Sequence, residues 1–202
     1  SVDFIDNSFF DNKIIIGINQ VYKKISCSYL VRKEAEFIEN SIEKNKDTIH
    51  FVSKGNCGNN RDKDVRYTKK NLEKVDTTNI VVYNHNSNKN EDTPVELPND
   101  NELFVSFSTI TTGIHLAAYM GAKNIILVGH DCGTLNGECN FTDYHNKRTR
   151  LQKSDSDYKN WLLKIEDATI KLKSVLKTKY NCNIYSLNPF INFNLEGNKY
   201  SK

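Results

Sequence analysis

The chain has 202 residues, 28 Lys+Arg against 25 Asp+Glu, and a formal net charge of +3. That length fits one domain and is short for two. A mean hydropathy of −0.61 and the lack of any apolar run of about 18 residues exclude a membrane-spanning helix, while ten Tyr and ten Phe supply enough core-forming side chains to exclude a disordered chain.

The remaining composition narrows the class further. Lysines outnumber arginines 23 to 5, and arginine is the usual residue for bidentate readout of phosphates and bases, so a dedicated nucleic-acid binder is disfavoured. The 27 asparagines match a genomic bias towards A and T, so individual surface Asn and Lys residues carry little functional signal. The five cysteines, Cys27, Cys57, Cys132, Cys139 and Cys182, are odd in number, widely spaced and without a CxxC pair. They fit a reduced, cytoplasmic protein better than a secreted disulfide scaffold. No charged-then-apolar signal segment opens the sequence.

Ile14-Ile15-Ile16-Gly17-Ile18-Asn19 is a continuous apolar run ending on a polar residue, the pattern of a strand buried on both faces of a parallel sheet. Ser28–Glu34 reads as a second strand leading into a helix over Ala35–Lys46, where Phe37, Ile38 and Ile42 recur at helical spacing. Thr48–Ser53 is a third strand. The charged, Asn-rich stretch Lys54–Thr78 reads as a long loop with room for a short helix. Asn79–Asn84 is a fourth strand, and 86–101, with two of the three prolines, is a second loop or edge excursion.

Thr109–Gly121 then reads as a helix closed by Gly121-Ala122, followed by Lys123–Gly129, the most apolar strand in the chain. A polar loop, 130–156, precedes a long amphipathic helix over Asp157–Tyr180. Its apolar stripe is Trp161, Leu162, Ile165, Ala168, Leu172, Val175 and Leu176. Asn183–Leu187 is the last strand. Alternating strands and helices predict an α/β, Rossmann-like, doubly wound and mostly parallel sheet with helices on both faces, in one domain spanning 1–202.

Ligands of such sheets bind beyond the carboxyl ends of the strands, which selects Asn19, Lys33-Glu34, Ser53-Lys54, Asn84-His85 and His130-Asp131. Four segments carry chemistry. Ser106–Gly113 sets Ser108, Thr109, Thr111 and Thr112 at a helix start, where hydroxyls and free N–H groups either cap the helix or hold a phosphate. Gly129-His130-Asp131-Cys132-Gly133 offers a carboxylate for a ribose hydroxyl, a substrate or a metal ion, and in His130 either a general base or a half-buried structural histidine. The loop Thr134–Arg150 carries Cys139, Asp143, Tyr144, His145, Lys147, Arg148 and Arg150, either a phosphate-neutralising cluster or a solvated loop. Asn19-Gln20 offers an amide to a base or sugar, or simply forms a turn. His130, Cys132, Cys139 and His145 have a spacing that matches no common zinc pattern, so no metal ligands are assigned.

Ile15–Gln20, Tyr29-Leu30-Val31, Thr111-Thr112-Gly113 with its helix, and Ile125–Asp131 ending in Gly-His-Asp resemble, from about Asn12 to Pro189, the MptE-like Rossmann family. This family joins archaeal 6-hydroxymethylpterin diphosphokinases to bacterial alpha-2,3-sialyltransferases of the same topology. The resemblance implies a bound nucleotide, CMP in a sugar donor or ATP. Asn19 would contact it, Thr111, Thr112 and Gly113 would lie near its base, ribose or phosphates, and Asp131 would sit at the edge of the site. Tyr144 is the counterpart of the tyrosines that hold the donor phosphate. The family's base lies shortly before the last long helix, where Leu151–Tyr158 has no His and His145 is nearest. The family also opens on a strand and a Gly-x-Gly-Pro-Ser turn; at Ser1-Val2-Asp3 this chain is past that position, so the turn either precedes Ser1 or has been lost.

The expectation is a nucleotide-binding transferase, with Asn19, Thr111–Gly113 and Asp131 around the nucleotide and Tyr144, His145 and Arg148 closing over its phosphates. His130 or His145 would deprotonate the acceptor. A glycosyl donor is favoured over a diphosphate donor, because Mg²⁺ beside phosphates needs carboxylates and only Asp131 and Asp143 are well placed. The rival expectation is a non-catalytic Rossmann-like binding module. Sheet edges and two polar loops leave room for a homodimer.

Overall fold

The structure, a computed structural model, describes residues 2–35, 37–55, 62–87, 95–98, 102–133, 155–187 and 195. It shows an α/β, Rossmann-like fold with a mostly parallel sheet. In chain order the elements are β1 (Ile16–Ile18), β2 (Tyr29–Arg32), α1 (Ile38–Lys44), β3 (Ile49–Ser53), α2 (Asp62–Leu72), β4 (Ile80–Ser87), β5 (Glu102–Val105), α3 (Thr109–Tyr119), β6 (Asn124–Val128), α4 (Asp155–Tyr180) and β7 (Asn183–Leu187). Contacts divide the chain into two compact units, one of Asn7–Asn88 and Leu97–Gly113, the other of Ser1–Asp6, Lys89–Glu96 and Ile114–Lys202.

The first unit is built on a five-stranded sheet in the order β1-β2-β3-β4-β5, with parallel pairing throughout. Leu30, Val31 and Val52 are fully buried, as strands covered on both faces require. Tyr22, Cys27 and Leu30 form one core cluster with Ile15 and Val21, and Ala35, Ile38 and Val52 form another with Ile42, Leu72, Val75 and Ile80. After β5 the chain turns back. A Cβ added to Gly113, at the start of α3, would stand 2.6 Å from Ile18 Cδ1 and 3.8 Å from Ile16 Cγ2, so the helix backbone lies directly on β1. A larger residue there would push the end of the Ile18 side chain aside.

The second unit pairs β6 with β7 in parallel, Ile125 opposite Ile184 and Leu127 opposite Ser186. α4 buries Ile165, Ala168, Leu172 and Leu176, most of the stripe predicted from its periodicity. α3 ends as predicted at Gly121: with φ at 95° its N–H bonds the Ala118 carbonyl while the Ala122 N–H bonds the Ala117 carbonyl, a Schellman closure. α4 ends on Asn181 in the same left-handed region, φ 49°.

Three expectations are corrected. The predicted long loop after β3 contains the 11-residue helix α2. The fourth strand continues to Ser87, so Asn84-His85 lie within it rather than past its end. The strand Glu102–Val105 was unforeseen; it pairs with Asn84–Ser87.

Candidate functional site

The carboxyl edge of the five-stranded sheet is where the sequence placed a ligand, and Asn19 occupies it in an unusual way. Its φ is 54°, a left-handed conformation that Asn adopts more readily than most residues. Both of its main-chain groups are tied: the N–H donates to the Val31 carbonyl at 3.0 Å, and the carbonyl accepts from Arg32 Nη2 at 3.2 Å. Its carboxamide makes no hydrogen bond among the described residues. The side chain is half-buried.

Arg32, the last residue of β2, is 2% exposed. Its carbonyl accepts from the buried Tyr83 phenol at 3.1 Å. Tyr22, which donates to Asn40 Oδ1 at 2.8 Å, lies beside the guanidinium. Burial raises the Tyr22 phenol above its ordinary pKa, and the Arg32 charge opposes that shift. Burial also raises Tyr83 strongly, with the nearby Thr112 hydroxyl opposing. Thr112 Oγ1 is buried without a hydrogen-bond partner among the described residues.

Gly113 follows Thr112 and lies against Ile18, the residue before Asn19. The structure therefore brings Asn19, Thr112 and Gly113 into one region, as predicted, and adds Arg32, Tyr83 and Tyr22. Thr111 faces elsewhere. Its Oγ1 accepts from the Ser106 N–H at 2.9 Å and donates to the Ser108 carbonyl at 2.8 Å, locking the turn in which Phe107 takes a φ of 53°. It braces the start of α3, while Ser108 Oγ accepts from the Ile110 N–H at 3.5 Å.

The carboxyl ends of β3 and β4 hold a second polar group. Ser53 Oγ lies 2.6 Å from His85 Nδ1 and bonds the Gly55 main chain. Ser53 is fully buried and His85 is 4% exposed, so this pair ties two strands together rather than meeting a ligand.

His130 and Asp131 belong to the other unit, just past β6. Thr169 donates its hydroxyl proton to the Ile165 carbonyl at 2.9 Å, so at 3.0 Å from His130 Nε2 it accepts the imidazole N–H. This assigns the Nε2–H tautomer. Burial lowers the His130 pKa to about 4, against the pull of Asp131, so the ring is neutral at pH 7. Cys132 Sγ lies 3.8 Å from His130 Nε2, but burial, helped by Glu166 and Asp131, pushes the thiol up to about 12. The pair is a neutral imidazole with a protonated thiol, not an activated nucleophile.

Tyr144, His145 and Arg148, with Cys139, Asp143, Lys147 and Arg150, lie outside the described residues. Among the described residues no group of three His, Cys, Asp or Glu side chains is placed to hold a metal ion, and no helix is long and apolar enough to cross a membrane.

The sequence reading missed Arg32 and Tyr83. The available signal for Arg32 was its position: one of five arginines, at the end of the apolar run Tyr29-Leu30-Val31. Comparison with known proteins found no matching family model, no similar curated protein and no similar solved structure.

Proposed function

We propose that the chain is a nucleotide-binding transferase that seats its nucleotide at the carboxyl edge of β1 and β2, against the first turn of α3. The observation that carries this reading is Asn19. Its backbone is fixed on both sides in a left-handed conformation while its carboxamide is left uncommitted at a strand end, an arrangement suited to bonding a base or sugar edge. The place also fits the topology. Asn19 lies just past the carboxyl end of β1, and Gly113 in the first turn of α3 lies against Ile18, the residue before it.

Arg32 acts from beneath. It holds the Asn19 turn through the bond from its Nη2 to the Asn19 carbonyl. The start of α3 adds its partial positive charge, and Gly113 keeps the backbone of its first turn close to β1. The resemblance to the MptE-like family supports a glycosyl donor such as a CMP-sugar, with ATP-dependent diphosphoryl transfer as the other reaction of that family. The resemblance to that family supplies the remaining candidates: Asp131, Tyr144 and Arg148 for the nucleotide and His130 or His145 for the acceptor proton. His130, with a pKa of about 4, is a weak base.

Thermal shift against CMP, CDP, UDP, GDP and ATP, with and without Mg²⁺, tests the reading. A ligand at about 100 times its Kd adds about 2.7 kcal/mol of stability, a readily measured rise in melting temperature. Stabilisation by CMP or CDP without Mg²⁺ supports a glycosyl donor, and stabilisation by ATP only with Mg²⁺ supports diphosphoryl transfer. If no nucleotide stabilises the protein, the transferase reading fails and the non-catalytic module stands.

A further inference from the structure

A separate feature of the first unit is a cavity of about 400 Å³ between α2 and β4. That lies within the roughly 300–1,000 Å³ range of small-molecule pockets. Its apolar wall comes from Val65 and Leu72 on α2 and from Val82 on β4. Val82 lies in the half of β4 that pairs with β3 alone, since β5 pairs only Asn84–Ser87, and it is 47% exposed, as its neighbour Val81 is at 42%.

The polar groups around the cavity are divided into used and unused. Thr68, 2% exposed, turns its hydroxyl to the Ser53 carbonyl at 3.5 Å. Lys54 has its main-chain N–H fixed on the Tyr83 carbonyl at 2.8 Å, which anchors the base of a side chain that lines the cavity. Lys69, one helical turn before Glu73 on α2, lines it as well. Neither lysine ammonium group has a hydrogen bond or ion pair among the described residues, and Lys69 makes none with Glu73. Among the described residues, two lysines against one glutamate give the rim one net positive charge, above an apolar floor.

We propose that this cavity binds an amphiphilic monoanion, a carboxylate head on a single apolar chain. The chain would cover Val65, Leu72 and Val82, and the head would be held between Lys54 and Lys69. Burying the chain supplies the gain in free energy, and the lysines select an anion over a neutral or cationic head of the same length. The site is distinct from the Asn19 edge and does not depend on the nucleotide reading.

Isothermal titration of the full chain with decanoate, kept below its micellar concentration, is the test. Decan-1-ol is the neutral control, and the double variant Lys54→Glu/Lys69→Glu the charge control. Both lysines are exposed, and circular dichroism with thermal melting confirms that the variant folds. Should the reversal impair folding, Lys54→Ala/Lys69→Ala replaces it. The expected result is saturable one-to-one binding of decanoate, about tenfold weaker in the double variant, with decan-1-ol binding more weakly by a similar factor. Absence of saturable decanoate binding, equal affinity for acid and alcohol, or unchanged affinity in the lysine variant would overturn the proposal.

Discussion

In the five-stranded unit the buried polar groups hold one another. Arg32 bonds the Asn19 carbonyl, Tyr83 bonds the Arg32 carbonyl, Ser53 meets His85, Ser41 meets His50 Nδ1 at 3.1 Å, and Thr48 bonds the Cys27 carbonyl at 2.6 Å. In the two-stranded unit the buried face of α4 is apolar apart from Thr169, and the titratable groups set beside it, His115, His130 and Cys132, are held neutral by burial. The bonds of the first unit tie strand ends and turns to one another, although His50 Nε2, Ser87 Oγ and Thr112 Oγ1 are buried without a hydrogen bond among the described residues. The contrast is between polar ties in the first unit and a mainly apolar helix face in the second.

The strongest way to break that contrast is Leu172→Ala in α4. Leu172 is fully buried, and its truncation should cost about 2–5 kcal/mol in urea denaturation. A loss below about 1 kcal/mol would show that α4 contributes much less packing than its stripe implies.

Acid provides the next largest effect. His115 and His130 titrate at about 4 when folded, against 6.5 for an ordinary imidazole. Between those values the unfolded chain binds more protons, so the stability they contribute is full above pH 6.5, declines as pH falls through the window and changes no further below about 4. For His115, 2% exposed, the difference is about 3 kcal/mol. His50, in the first unit, is also lowered by burial. Hydrogen exchange corrected for intrinsic rates should show α4 and β6 losing protection over this range by more than β2 and β3. Equal loss in both regions would remove the distinction.

The smallest effect on stability, and the sharpest on function, is expected at Asn19. Asn19→Ala places a Cβ without a polar side chain at φ 54°, at a cost of about 1 kcal/mol. Any nucleotide-induced rise in melting temperature should fall to near zero. A variant that keeps the full rise would move the ligand away from the β1 edge.

The parts of the fold legible in the sequence are those with a strong period or punctuation. β7 spans the predicted Asn183–Leu187, and α3 begins at the predicted Thr109 and closes on Gly121 because hydroxyls and glycine mark those ends physically. α2 was hidden because its described face carries charged and polar side chains with only Val65 and Leu72 to mark an apolar side. The extension of β4 was hidden because Asn84 and Asn86 face solvent while His85 is buried, an alternation whose inward member is polar. At the site, Asn19, Thr112 and Gly113 were legible from position alone. Arg32 and Tyr83 were not: both point into the sheet edge from within strands, and only the pairing of β1 with β2 and the reach of the Tyr83 phenol bring them to Asn19.

The return of α3 to β1 also sets an order of events during synthesis. β1 leaves the ribosome before the other four strands of its sheet, and Gly113, which lies against Ile18, follows only after them. Until then one face of Ile16 and Ile18 lacks its cover, and β1, an edge strand, has only β2 to hold it. The left-handed turn at Asn19 and the Arg32 bond to it are local, complete as soon as β2 has formed. They can hold β1 in register through that interval, so the residues that shape the ligand edge double as a guard against mispairing while the chain is still growing.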